Sequence, residues 1–174
     1  GAPASLLPEL EDVVQHGSAE RRAETLRRFT SLFLDSAPSF NEQHIALFDD
    51  VIGCLIEEIE VKALAELARN LAPVPNAPAG VVRRLANNDD IEVAGPVLKT
   101  ARRTDPALKD LAAPKSQAHL LALASRKGIN EALAEILVDR GDNEVARSIA
   151  TNQSAQLSEN AFTTLVKRAE EDGI

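Results

Sequence analysis

The chain reads as all-helical: a helical N-terminal subdomain followed by a stack of short helical repeats. Three observations predict this. First, Leu85–Ala94 (LANNDDIEVA) returns 52 positions later as Leu137–Ala146 (LVDRGDNEVA). The two runs are identical at Leu85/Leu137, Asp90/Asp142, Glu92/Glu144, Val93/Val145 and Ala94/Ala146. A fainter copy, Gly128-Ile129-Asn130-Glu131, precedes the second by 13 residues. Self-similarity at a fixed offset marks helices that stack and cover one another's apolar faces. Second, 44% of residues are hydrophobic but only 3% aromatic, with five Phe and no Trp or Tyr. A core of Ala, Leu, Val and Ile suits closely packed helices; a β-sandwich needs more aromatic and β-branched residues in alternating runs. Third, helix starts in the second half recur every 11 to 16 residues.

Taken in order, residues 3–16 carry a modest apolar face (Leu6, Leu7, Leu10, Val13, Val14) that stops at Gly17. Ser18 caps a helix reaching about Ser36, with Leu26, Phe29, Leu32 and Phe33 at helical spacing. Ser39-Phe40-Asn41-Glu42 has the capping-box pattern and opens the longest helix, 41–59. Its apolar set spans about 200° of the circumference, which predicts burial on two sides. The remaining arc, Glu42, Asp49, Asp50, Glu57 and Glu60, is acidic: the solvated edge of an amphipathic helix or a docking face for a basic partner. A helix over 61–71 ends the N-terminal subdomain (1–72). The proline-rich stretch 73–78 is the expected connection, and 79–174 the repeat stack.

Within that stack the expected helices are 79–87, 90–102, 106–112, 116–127, 130–140, 143–152 and 158–171. Asp90, Asp105-Pro106, Ser116, Asn130, Asp142 and Ser158 signal their starts; Gly128, Gly141 and Gly173 signal stops. Pro96 is expected to kink or shorten its helix. A helix pair takes about 26 residues, shorter than the ~40 of common helical repeats.

The net charge is −8, distributed as −5 over residues 1–87 and −3 over 88–174. No basic domain hides in an acidic chain, which disfavours nucleic acid and anionic membranes as partners. The single cysteine, Cys54, excludes an internal disulfide framework and fits a reducing cytoplasm. No apolar run approaches the ~18 residues of a membrane span, and no signal peptide is visible. The start Gly1-Ala2-Pro3 and the absence of any Met read as an excised segment.

Three runs carry a resemblance: Val81–Leu98 (VVRRLANNDDIEVAGPVL), His119–Ala124 (HLLALA) and Leu137–Ala146. In this order and spacing they resemble a bacterial family of domains of unknown function, found mostly in alphaproteobacteria, over about Phe48 to Ala169. The Val-Arg-Arg-Leu-Ala pattern is also similar to short leucine-rich-variant and HEAT-like repeats. The resemblance implies a curved solenoid of short HEAT-like repeats on which the N-terminal subdomain packs. It brings no catalytic residue.

The residues do not add one. His16, His44 and His119 lie on separate expected helices, with no HExxH or Cys-x-x-Cys spacing, so no metal or cofactor is expected. His119, opening an apolar helix, reads as a half-buried packing residue. Cys54, on the apolar arc of its helix, reads as a small inert hydrophobe. Phosphate loops and nucleophile elbows are absent from the sequence. Asp90 and Asp142 are expected to be helix N-caps.

The expected function is therefore non-enzymatic: a module binding another protein on the repeat surface, as adaptor or scaffold, with a basic partner favoured by the acidic balance. The residues singled out for partner binding are Arg83, Arg84, Asn88, Asp89, Arg103 and Arg140. The alternative is a nucleic-acid-binding solenoid, with Arg83, Arg84, Arg102, Arg103, Arg126 and Arg140 converging on one side; arginine ladders with Asp89, Asp105 and Asp139 are the blander account. A catalytic cleft near 73–78, lined by His44 or Cys54, ranks third. An open apolar face at Phe162, Leu165 and Val166 predicts self-association.

Overall fold

Seven of the described helices begin where a side-chain oxygen of the cap residue accepts an orphan backbone amide, whereas the helix Val61–Leu71 starts after Glu60 without one. A computed structural model describes residues 10–100 and 116–172. Among these there is no β-strand, only an isolated parallel bridge between Ile129 and Ala155. The fold divides into two compact units, 1–85 and 86–174.

In the first unit, α1 (10–16) ends where Gly17 N donates to Val13 O. The expected residues 3–9 lie outside the described chain. Ser18 caps α2 (Ala19–Ser36), its Oγ accepting from Arg21 N at 3.1 Å. A 3₁₀ turn (Ala37–Ser39) leads to α3 (Glu42–Leu55), followed by α4 (Val61–Leu71) and α5 (Ala79–Ala86), whose last residue falls in the second unit. Helix α2 packs on both α3 and α4. Phe33 is fully buried and meets Phe48 edge-on at 5.3 Å, while Phe40 stacks on Phe48 at 5.2 Å. With Phe29, these hold four of the five phenylalanines at one helix junction.

Two expectations fail here. The capping box is not Ser39 with Glu42. Asn41 Oδ1 accepts from His44 N at 2.9 Å, and His44 Nδ1 accepts from Asn41 N at 3.2 Å, while Ser39 Oγ donates to Ser36 O inside the 3₁₀ turn. Nor is α3 buried on two sides. Only Ile52 and Leu55 are buried on it, and Leu47 and Cys54 are exposed. The apolar arc counts greasy positions, not neighbours, and its margin finds none. The helix also ends early, with Glu58 at φ 58° in the turn that follows.

The stretch 73–78 lies inside the first unit as consecutive turns: Val74 N donates to Leu71 O and Ala77 N to Val74 O. Asn76 Nδ2 pins it to Ala37 O at 2.7 Å.

The second unit contains α6 (Ile91–Thr100), α7 (Gln117–Ala124), α8 (Glu131–Arg140), α9 (Asn143–Thr151) and α10 (Glu159–Asp172). The expected 106–112 helix lies outside the described residues. Pro96 does not end α6, which runs through it to Thr100. Five caps fall where the sequence places them: Asp90, Ser116, Asn130, Asp142 and Ser158 accept from Glu92, His119, Leu133, Val145 and Ala161 N respectively.

The repeat identities now have physical content. Leu85/Leu137, Val93/Val145 and Ala94/Ala146 are all buried. Asp90/Asp142 are caps, and Glu92/Glu144 are acids in a first helical turn, where the helix dipole favours them. Gly128, at φ +73°, needs a glycine for its backbone. Gly141 needs one for space: a Cβ there would meet Leu137 O at 2.5 Å and Val145 Cγ1 at 2.3 Å.

Candidate partner-binding surface

Neighbouring helices of the second unit are stitched through their loops. Asn152 Nδ2 donates to Ala124 O at 2.9 Å and to Arg126 O at 2.8 Å, satisfying carbonyls at the end of α7. Ser154 Oγ accepts from Gly128 N, and Gln156 N donates to Ile129 O. Gln117 spans the α8–α9 turn, donating to Arg140 O at 2.9 Å and accepting from Asp142 N at 2.7 Å. Arg168 on α10 donates to Val138 O and Gly141 O, capping α8 from outside. These contacts fix the spacing of α8 and α10.

Between those two helices lies a slot of about 370 Å³. Glu135, Ile136, Asp139 and Arg140 of α8 line one wall, and Asn160 and Thr164 of α10 the other. Ser158 Oγ donates to Glu135 Oε1 at 2.7 Å, holding one carboxylate at the slot's edge. The slot thus offers carboxylates, an amide and a guanidinium within reach of apolar side chains.

Of the singled-out residues, Arg140 lines this slot. Arg83, Asp89 and Arg140 are exposed, and each takes part in an interaction. Arg84 donates from Nη1 to Gly53 O at 2.7 Å, so it caps the C-terminal end of α3. Asn88 is structural at both ends: its Oδ1 accepts from Asp90 N, and its carbonyl lies 2.9 Å from His119 Nε2. Arg103 lies outside the described residues, as do Arg102 and Asp105. Arg83 and Arg84 belong to one compact unit and Asn88, Asp89 and Arg140 to the other. Arg126, placed in the arginine series for nucleic acid, is buried.

Two further expectations need correction. His119 is not half-buried but sealed, at 1% exposure, with Nδ1 2.6 Å from Ser116 Oγ. Cys54 is exposed rather than packed, because its position lies at the uncovered margin of α3. His44, proposed for a cleft, is engaged in the α3 cap.

Sequence reasoning missed the clamps. Arg22 on α2 is 5% exposed and donates to the carbonyls of Val14, Cys54 and Glu57, the last at 2.6 Å. Arg168 and Asn152 act the same way in the second unit. Apart from Val14, eight residues before Arg22, their partners lie 25 to 35 residues away, so no local pattern announces them.

Among the described residues, no helix is long and apolar enough to cross a membrane, and no three His, Cys, Asp or Glu gather as a metal site. Residues 93–174 match the model of a family described as an uncharacterised protein conserved in bacteria (DUF2336). The match starts inside α6 and covers the slot and every helix around it. No curated protein matches the chain. No solved structure matches it either.

Proposed function

We propose that the protein is a non-enzymatic interaction module whose second unit is a short stack of HEAT-like helical repeats binding another protein across the α8–α10 slot. One observation carries this reading. From α7 onward the described helices pack both on the next helix and on the next but one: α7 on α8 and α9, α8 on α9 and α10, with α9 on α10. That pattern supports a reading as stacked helical hairpins, which leave alternate helices side by side along an open face. The slot between α8 and α10 is such a space, walled by Glu135, Asp139 and Asn160. The acidic balance of the chain favours a basic partner and speeds encounter.

The test is photo-crosslinking in the source cell with a photoreactive residue at Asn160 or Thr164, and at Glu24 on α2 as control. Discrete protein adducts from the slot positions and not from Glu24 support the reading. Adducts to nucleic acid, or none beyond the control, overturn it.

A further inference from the structure

The second unit contains one aromatic residue, Phe162, and it is not in the core: it is 59% exposed, the most exposed large apolar side chain among the described residues. Val166, one turn further along α10, is 42% exposed. The inward face of the helix is complete without them. Ala161 and Leu165 are buried, and Arg168 is turned onto the carbonyls of α8. At about 100° per residue, Phe162 and Val166 form one strip with Glu159 and Glu170 on its flank, both exposed. The strip lies on the side of α10 away from Ala161, so it is separate from the slot.

We infer that this outer face of α10 docks an amphipathic helix of another protein, one that carries Lys or Arg beside its apolar stripe. The inference rests on the reading of the protein as an interaction module and names a second surface for it. Charge selects the occupant. Phe162 is a rigid anchor of the type that dominates interface energies, and Val166 extends it along a helical ridge. The flank beside them is acidic, so a basic flank on the incoming helix completes it. A second copy of the chain is the poorer fit. A two-fold pairing places the same patch on both sides, and Glu159 and Glu170 then face acidic flanks. The self-association expected from the open strip is thereby disfavoured by its own border.

The probe is a fluorescein-labelled helical peptide with a leucine stripe flanked by lysines, beside a version with glutamates for the lysines. Fluorescence anisotropy is read against the native chain. The lysine peptide is expected to bind and the glutamate peptide not. Phe162→Ser with Val166→Ser should weaken binding about tenfold or more with unchanged circular dichroism, the loss typical of an interface anchor. Glu159→Lys with Glu170→Lys should reverse the preference between the two peptides. Glu135→Lys with Asp139→Lys, in the slot, should leave peptide binding unchanged, which separates this surface from the other. Undiminished binding to the Ser variant overturns the proposal. So does a native dimer in sedimentation equilibrium that the Ser variant abolishes, since the second copy is then the occupant.

Discussion

His119 Nε2 lies 2.9 Å from the backbone carbonyl of Asn88, 31 residues earlier, inside a site that excludes water. A carbonyl only accepts, so Nε2 carries the proton and Nδ1 accepts from the Ser116 hydroxyl at 2.6 Å. One imidazole thus ties the approach to α6 to the start of α7.

His119→Leu fills the same space but leaves the Asn88 carbonyl without its donor. The expected cost is about 1–3 kcal/mol in chemical unfolding, the usual penalty for a buried unpaired polar group. Ser116→Ala, which removes the helix cap and the second imidazole partner, should cost about 1–2 kcal/mol. Because the two residues share a hydrogen bond, the double variant should cost less than the sum.

Arg21 and Arg22 are adjacent and should behave oppositely. Arg21 meets Asp12 at 3.0 Å with both side chains half exposed, so Arg21→Ala should change stability by less than about 1 kcal/mol. Arg22→Met strands the carbonyls of Val14, Cys54 and Glu57 and should cost about 2–4 kcal/mol. Arg22→Lys should recover little, since an ammonium lacks the fork that reaches three acceptors. Equal effects at the two positions contradict the clamp.

Gly128 and Gly141 separate conformation from space. Gly128→Asn should be tolerated to within about 1 kcal/mol, because Asn enters the left-handed region readily. Gly128→Ala should cost about 1–2 kcal/mol. At Gly141 no substitution is mild: the Leu137 carbonyl blocks any Cβ, and Gly141→Ala should cost more than Gly128→Ala although its backbone angles suit alanine. Thermal melts of the three variants give the order.

Asp90→Ala and Asp142→Ala should each cost about 1 kcal/mol, as lost N-caps do. Val93→Ala and Val145→Ala, at the matching buried positions, should cost more than the caps. A pattern in which the caps mattered and the valines did not would break the reading of the repeat as core plus cap.

These contrasts explain what the sequence could disclose. Caps at Ser18, Ser116, Asn130, Asp142 and Ser158 were legible because donor and acceptor lie three residues apart, within reach of a local pattern. The α3 cap was misplaced because Ser39 and Asn41 both offer oxygens, and His44 is a less usual reciprocal partner than Glu42. Periodicity marked the apolar arc of α3 but carried no information on whether a neighbour covers Leu47 or Cys54. Arg84 is singled out as a surface residue for a partner; its bond to Gly53 O, 31 residues back, is supplied only by the fold. Of the singled-out residues, Arg140 lines the slot, and no sequence pattern groups it there with Glu135, Asp139 and Asn160, which packing brings together.

The central claim is protein binding by the second unit, and affinity capture with the whole chain as bait, from lysate of the source cell with and without nuclease, tests it most directly. The account predicts one or a few proteins retained after nuclease by the native chain and lost with Glu135→Lys, Asp139→Lys. Material that is mainly nucleic acid, or a retained set identical for native and variant chains, contradicts it.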